Sequence, residues 1–132
     1  MTYAIATKPL ATPPISSVGL KTGITILERW GATGEQSASI FRISRSTYAR
    51  AKRGEAVSLD RDQLTRVSLI LNIHAALRIL FDNPENLYGF MGMANHNEYF
   101  NGRSPLEVIS SGDLISLYEV YRRIDALRGA GW

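Results

Sequence analysis

Ser46, Ala49, Arg50 and Arg53 fall at positions i, i+3, i+4 and i+7. On a helix this spacing sets all four on one stripe. The stripe carries two guanidinium groups and a hydroxyl. A guanidinium can bond both acceptors on a guanine edge, and a hydroxyl can reach a base or a phosphate. Arg45 stands beside the stripe, and Ser44 can cap the helix, whose N-terminal end favours a phosphate. The whole stretch, ISRSTYARAKRG from Ile43 to Gly54, holds four cations and no acid. Two readings stay open on these residues alone: a helix that enters the major groove of DNA, and a solvated basic helix in a bundle.

A reading helix needs a second helix to hold it. Gly34 to Arg53 spans twenty residues, the length of a helix-turn-helix core. Thr33 can cap the first helix, GEQSASIF, with Gln36 as its capping-box partner three residues on. Two short helices that cross at a tight turn require a small residue at the contact, and Ala38 stands there. Phe41, Ile43, Tyr48 and Ala51 are spaced to lock the pair inward, and Gly54 can end the second helix. Two residues depart from the pattern. Ser37 is polar where an apolar residue is usual, and Arg42 replaces the frequent turn glycine, at a conformational cost unless the turn is of a different type.

The remaining elements read as helices too. Residues 1–17 are rich in Pro, Thr and Ser and are expected to form a flexible arm. From Val18, apolar Leu20, Ile24, Leu27 and Trp30 recur at helical steps up to Gly31. Leu59 to Phe81 reads as one long helix. Ten of the thirteen residues from Leu69 to Phe81 are apolar, which places that segment in a core or at a subunit interface. Asp82-Asn83-Pro84 stops it, and Glu85 to Met91 can form a short helix before the polar loop ANHNEYFNGR, Ala94 to Arg103. Ser104-Pro105-Leu106-Glu107 is a helix start, with serine at the cap and proline at the first helical position. Gly112 ends that helix, Asp113 caps the next, and Leu114, Leu117, Tyr121, Ile124 and Leu127 line one face of it up to Gly129. The expected fold is all-α, with about seven helices and short turns.

Composition narrows the classes. The chain has 132 residues with 45% hydrophobic and 20% charged content, which suits an ordinary globular unit. Cysteine is absent, so disulfides and thiolate zinc sites are excluded, and a cytoplasmic location is expected. The opening MTYAIATKPLATPP lacks a continuous apolar run, and Leu69 to Phe81 falls short of the roughly 20 residues that span a bilayer. No membrane association is expected. Charge is uneven. Residues 1–66 hold 10 Lys/Arg against 5 Asp/Glu, whereas residues 67–132 hold 5 against 7. The front half suits a polyanion; the rear half suits a different partner. His74 lies in the most apolar stretch and reads as a hydrogen-bonded core histidine. His96 sits in the polar loop without converging ligands, so no metal is expected. Neither a phosphate loop, a nucleophile elbow nor a carboxylate pair is present, so neither catalytic residues nor a cofactor are assigned and an enzyme is not expected.

Several segments together resemble the MbcA/ParS/Xre antitoxin family, whose members pair with RES-domain toxins. They are ILERWG (Ile26 to Gly31), ISRSTYAR (Ile43 to Arg50) and LDRDQLTRVSLILNIHAALRILFDNPENLYGFM (Leu59 to Met91). The match continues with FNGRSPLEVISSGDLISLYEVYRRIDALRGAGW (Phe100 to Trp132). The chain departs from the family in the loop before Gly102. Phe90-Met91 stands where tryptophan is common, and ANHNEYFNG is longer and richer in Asn. The resemblance implies an N-terminal helix-turn-helix module, residues 18–81, followed by a small helical toxin-binding domain, residues 82–132. It implies that the front part binds the operon's own promoter DNA, as a dimer or within a larger toxin–antitoxin hetero-oligomer. It implies that the rear part inhibits a RES toxin, an enzyme that consumes NAD. On that basis Ser44, Arg45, Ser46, Ala49, Arg50 and Arg53 are candidate DNA contacts.

In the family the antitoxin's C-terminal end sits at the toxin's active-site entrance, and this maps onto Arg128, Gly129, Ala130, Gly131 and Trp132. Tyr121 on the last helix is the further candidate toxin contact. The residues themselves allow that role. Gly129-Ala130-Gly131 has little bulk, and Trp132 is an anchor of the type that dominates interfaces. They equally allow a frayed terminus with the indole folded back on the helix. Tyr118, Tyr121, Arg122, Arg123 and Arg128 can likewise form a partner surface or a solvated face. A transcription factor whose rear half only oligomerises is the alternative function.

Overall fold

The structure, a computed structural model, describes residues 15–129. Ala130, Gly131 and Trp132, and the expected arm before Ile15, lie outside the described residues. Among the described residues the order is α1 (Ile15–Arg29), α2 (Gly34–Phe41), α3 (Arg45–Lys52), α4 (Arg61–Leu80), α5 (Pro84–Gly89), a 3-10 turn (Phe90–Gly92), α6 (Pro105–Ile109) and α7 (Leu114–Arg128). No strand occurs among them. The fold is all-α, as the sequence predicts.

Helix α1 begins three residues before the predicted Val18. Its first turn is pinned by Ser17, whose hydroxyl donates to the Val57 carbonyl at 3.1 Å and accepts from the Val57 amide at 2.9 Å. Leu20, Ile24 and Leu27 then bury the predicted stripe, with Trp30 just beyond the helix end. Gly23 lets α1 approach α2 closely: a Cβ there would stand 2.9 Å from the Phe41 ring.

Helix α4 is the axis of the molecule. Asp60 caps it by accepting from the Gln63 amide at 2.8 Å, and the Gln63 side chain returns a bond to the Asp60 amide at 2.9 Å. Val67, Leu69, Ile70, Ile73, Ala76 and Leu77 are buried on it, against α1 on one side and α7 on the other. Such burial stabilises by roughly 1.5–3 kcal/mol per large aliphatic side chain. It is not buried all round, however: Leu64 and Ile79 are exposed. Helix α7 buries Leu117, Val120 and Ile124 on the same axis, so Val120 joins the face predicted from Leu114, Leu117, Tyr121, Ile124 and Leu127.

One polar side chain runs through this core. Arg66 of α4 is only 3% exposed. Its Nε donates to Asp62 at 3.0 Å, and its Nη1 donates to the carbonyls of Ile40 in α2 at 3.1 Å and Gly112 before α7 at 2.8 Å. Close by, the Ser39 hydroxyl donates to the Ser110 carbonyl at 3.1 Å. Gly112 has φ +80°, and a Cβ there would stand 2.8 Å from the Ser39 hydroxyl, so the turn between α6 and α7 rests directly on α2.

Candidate functional site

Helices α2 and α3 form the expected motif. The Thr33–Gln36 capping box opens α2, with bonds of 3.1 and 2.9 Å. At its other end Arg42 adopts the left-handed conformation, φ 56° and ψ 47°, at the place predicted to strain the turn. The Ile43 amide donates to the Ala38 carbonyl at 3.0 Å and the Arg42 amide to Ser39 at 3.2 Å, so the helix ends in a paired-bond cap that is usually built on glycine. The cost of an arginine in this geometry is of order 1–2 kcal/mol. One compensating bond is visible: Gln63 Nε2 of α4 donates to the Arg42 carbonyl at 2.8 Å. Phe41, Ile43 and Ala51 are buried and Tyr48 is half-buried against Gly34, the inward set expected. Ser37 is fully buried, and its hydroxyl has no partner among the described residues.

The structure brings the predicted stripe to the surface on α3, with differing freedom for each side chain. Ser46 is exposed and Ala49 half-exposed. Ser44 acts as the cap, accepting from the Thr47 amide at 3.0 Å while its hydroxyl donates to Thr47 Oγ1 at 3.0 Å. Arg45 pairs with Glu35 at 3.3 Å, but both side chains are at least three-quarters exposed. Such a pair is worth little and yields easily to a phosphate. Arg50 and Arg53 converge on Glu55, at 3.6 and 2.7 Å, and Arg50 also donates to the Ala56 carbonyl at 2.9 Å. The hydrogen bond from Arg53, reinforced by the charges of Arg53 and Arg50, holds the Glu55 carboxyl below its ordinary range. Lys52 bonds Glu28 of α1 at 2.6 Å, and that bond raises its ammonium above the ordinary lysine range.

These acids are what sequence reasoning missed. Glu55 stands two residues past Arg53 and was visible as a local counter-charge. Glu28 and Glu35 needed the fold. The same holds for Lys21 of α1, whose ammonium lies near Gly54 at the end of α3. Together with Thr22, Thr25 and Gly54 it lines a cleft of about 310 Å³ just past the end of α3.

The rear end assembles Tyr121 and Arg128 on one groove. Asn72, Ala76 and Ile79 of α4 and Asp125 line it with them, around about 170 Å³. Arg128 pairs with Asp125 at 2.6 Å, and Gly129 follows as the helix cap. Ala130, Gly131 and Trp132 were also expected here and lie outside the described residues. Nearer the helix-turn-helix, α4 and α7 leave a second groove of about 400 Å³ between Thr65, Leu69, Leu114, Ile115 and Tyr118. It is wholly apolar in its exposed lining, and Ile115 is 71% exposed.

The histidines do not converge, and His74 is half-buried with no partner for its Nδ1 among the described residues, rather than the hydrogen-bonded core residue expected. His74 stacks on Tyr88 at 5.8 Å between centroids, with the Arg29 guanidinium 4.9 Å from the same ring. Burial, followed by the charges of Arg78 and Arg29, lowers its pKa from the ordinary imidazole value. His96 is exposed. Among the described residues no three His, Asp or Glu side chains cluster to hold a metal, and no helix is long and apolar enough to cross a membrane.

Comparison with known proteins matches both halves. Residues 10–72 match the antitoxin Xre-like helix-turn-helix domain. Residues 76–130 match the antitoxin Xre/MbcA/ParS C-terminal toxin-binding domain. The two matches meet within α4, the helix that packs against both ends of the molecule. The chain is also 31% identical over 105 residues to a Sinorhizobium fredii protein named uncharacterized protein y4oB, covering 79% of each chain.

Proposed function

The chain belongs to the Xre/MbcA/ParS antitoxin family, and from that premise we propose that it inhibits a RES-domain, NAD-consuming toxin and represses its own operon by binding promoter DNA. The observation that carries this reading is the separation of two surfaces on one core. Helix α3 and its cap present Arg45, Ser46, Arg50 and Arg53 at the front, while Tyr121 in the middle of α7 and Arg128 and Gly129 at its end lie at the rear. Arg45, Arg50 and Arg53 read bases or neutralise phosphates, and Ser44 orders the N-terminal end of the helix. The segment from Arg128 to Trp132 enters the toxin's active-site mouth, where Gly129 and Gly131 give a thin stalk and Trp132 the anchor.

Deleting Gly129 to Trp132 separates the two activities. The truncated chain is expected to shift promoter DNA as the full chain does, by electrophoretic mobility, and to lose its inhibition of NAD hydrolysis by the toxin encoded beside it. A truncated chain that still inhibits fully removes the tail from the mechanism. A full chain that never binds that toxin leaves a transcription factor whose rear half only oligomerises.

The apolar groove at Leu69, Leu114, Ile115 and Tyr118 supports a homodimer. An uncharged patch can meet its own copy without like-charge repulsion, and operator half-sites call for two reading helices. Ile115→Arg is then expected to sediment as a monomer and to bind DNA more weakly. A variant that remains dimeric places the contact elsewhere.

A further inference from the structure

The loop of residues 94–103 is a built surface rather than a slack connection. Asn95 Oδ1 accepts from the Asn97 amide at 2.9 Å, and Asn97 Oδ1 accepts from the Tyr99 amide at 3.0 Å. The two ends are tied by Asn95 amide to Arg103 carbonyl at 3.1 Å and Gly102 amide to Asn95 carbonyl at 2.8 Å. Phe100 is buried beneath, and Arg103 donates to the Phe100 and Tyr99 carbonyls at 2.9 Å each. Asn101, φ 51°, and Gly102, φ 89°, make the left-handed return.

Between this loop and the end of α7 lies a cleft of about 170 Å³. Phe90, Phe100 and Leu127 give it an apolar floor; Asn95, Asn97 and Arg123 stand at its rim. The polar rim is one-sided. Both asparagines commit one lone pair of Oδ1 to the loop's own backbone, which fixes the amide planes, while both N–H bonds of each NH2 have no partner among the described residues. Arg123 carries only donors. Its guanidinium stacks over Tyr99, 4.2 Å from the ring centroid, and its Nε approaches Glu119 at 3.4 Å without hydrogen-bond alignment. Among the described residues that line the cleft none is an acid. The space is below the roughly 300–1,000 Å³ of small-molecule sites, so it fits a single side chain rather than a nucleotide.

We propose that this cleft seats a carboxylate-bearing side chain of the toxin, its stem on the apolar floor and its oxygens on Arg123, Asn95 and Asn97. The inference rests on the antitoxin reading and adds to it a recognition site apart from the tail. A rim with an excess of donors favours an acceptor, because a partner that brings another donor leaves the Arg123 and NH2 groups unpaired. The loop's own hydrogen bonds fix the geometry before binding.

Asn97→Asp tests it with little change of shape. One carboxylate oxygen still accepts from Tyr99, while an acceptor with negative charge replaces the outward donor. Arg123→Gln removes the charge from the other side of the rim. By titration calorimetry against an inactive form of the toxin encoded beside this chain, each variant is expected to bind about tenfold or more weakly. Melting temperature and promoter DNA affinity are expected to stay at wild-type values. If the wild-type chain binds and both variants bind as tightly, the cleft is not a recognition site. If the wild-type chain does not bind that toxin, the antitoxin reading falls and this inference with it.

Discussion

Arg66→Ala is expected to lower folding stability by about 3 kcal/mol, and the melting temperature by ~10 °C, the largest loss from any single polar side chain described. Arg66 is 3% exposed, and its guanidinium makes three charge-assisted hydrogen bonds. Each is worth roughly 1.5–3 kcal/mol. Against that stands the cost of burying the charge, which alanine would relieve. Asp62 keeps its side chain 39% exposed and is not stranded when Arg66 goes. The Ile40 carbonyl, on a fully buried residue, is stranded, and the arginine stem leaves a void against it. The balance favours a substantial net loss. Arg66→Met separates the causes, because it keeps the stem and drops the charge. If methionine restores wild-type melting, packing rather than hydrogen bonding is what Arg66 supplies. If alanine itself melts within a degree or two of wild type, the bridge contributes nothing. The position matters for function, since Ile40 belongs to the helix-turn-helix and Gly112 to the rear half. Loosening of this bridge would let the two halves move separately, so hydrogen exchange at α2 is expected to rise in the alanine variant.

Arg66 also marks the limit of what the residues alone reveal. Features set within one turn of chain were readable. The Thr33–Gln36 box, the Ser44 cap, the Gly54 stop and the left-handed Arg42 each depend on neighbours three to five residues away. The buried stripes of α1 and α7 were readable for the same reason, because the 3.6-residue period imposes them. The bonds that join the halves have no such signature. Ser17 meets Val57 across 40 positions, and Ser39 meets Ser110 across 71. A serine or an arginine looks alike whether it is solvated or buried, and only packing decides which. The candidate surfaces divide in the same manner. The stripe on α3 followed from spacing. The counter-charges that Glu28 and Glu35 bring to Lys52 and Arg45, and the cleft under Asn95 and Asn97, followed from how distant segments meet. The loop 94–103 showed no periodicity at all, because side chains closing on their own backbone hold it together.

Glu55→Gln is expected to tighten DNA binding several-fold, roughly 3–10-fold at about 0.1 M salt, while Arg50→Ala weakens it by about 1–3 kcal/mol. The two outcomes share one cause. Glu55 bonds Arg53 at 2.7 Å and approaches Arg50 at 3.6 Å, which puts an anion beside two groups proposed above to meet phosphates or bases. Its carboxyl is held below the ordinary range by Arg53, so it keeps that charge at neutral pH and gives it up only under acid. An opposing view is that Glu55 aims Arg50 and that its loss would disorder the reader. The Ala56 carbonyl argues against this, because it accepts from Arg50 at 2.9 Å and holds the side chain without Glu55. The gain in the Gln variant should shrink as salt rises, since it is a phosphate effect, and the salt slope should steepen by about one charge. Glu85→Gln supplies the control. It changes net charge equally, on α5 in the rear half, and is expected to leave DNA affinity unchanged. Weaker binding by Glu55→Gln would reverse the assignment and make Glu55 a positioning residue for Arg50 and Arg53. Equal gains from Glu55→Gln and Glu85→Gln would mean that net charge alone is at work, with no special place for the helix from Arg45 to Lys52.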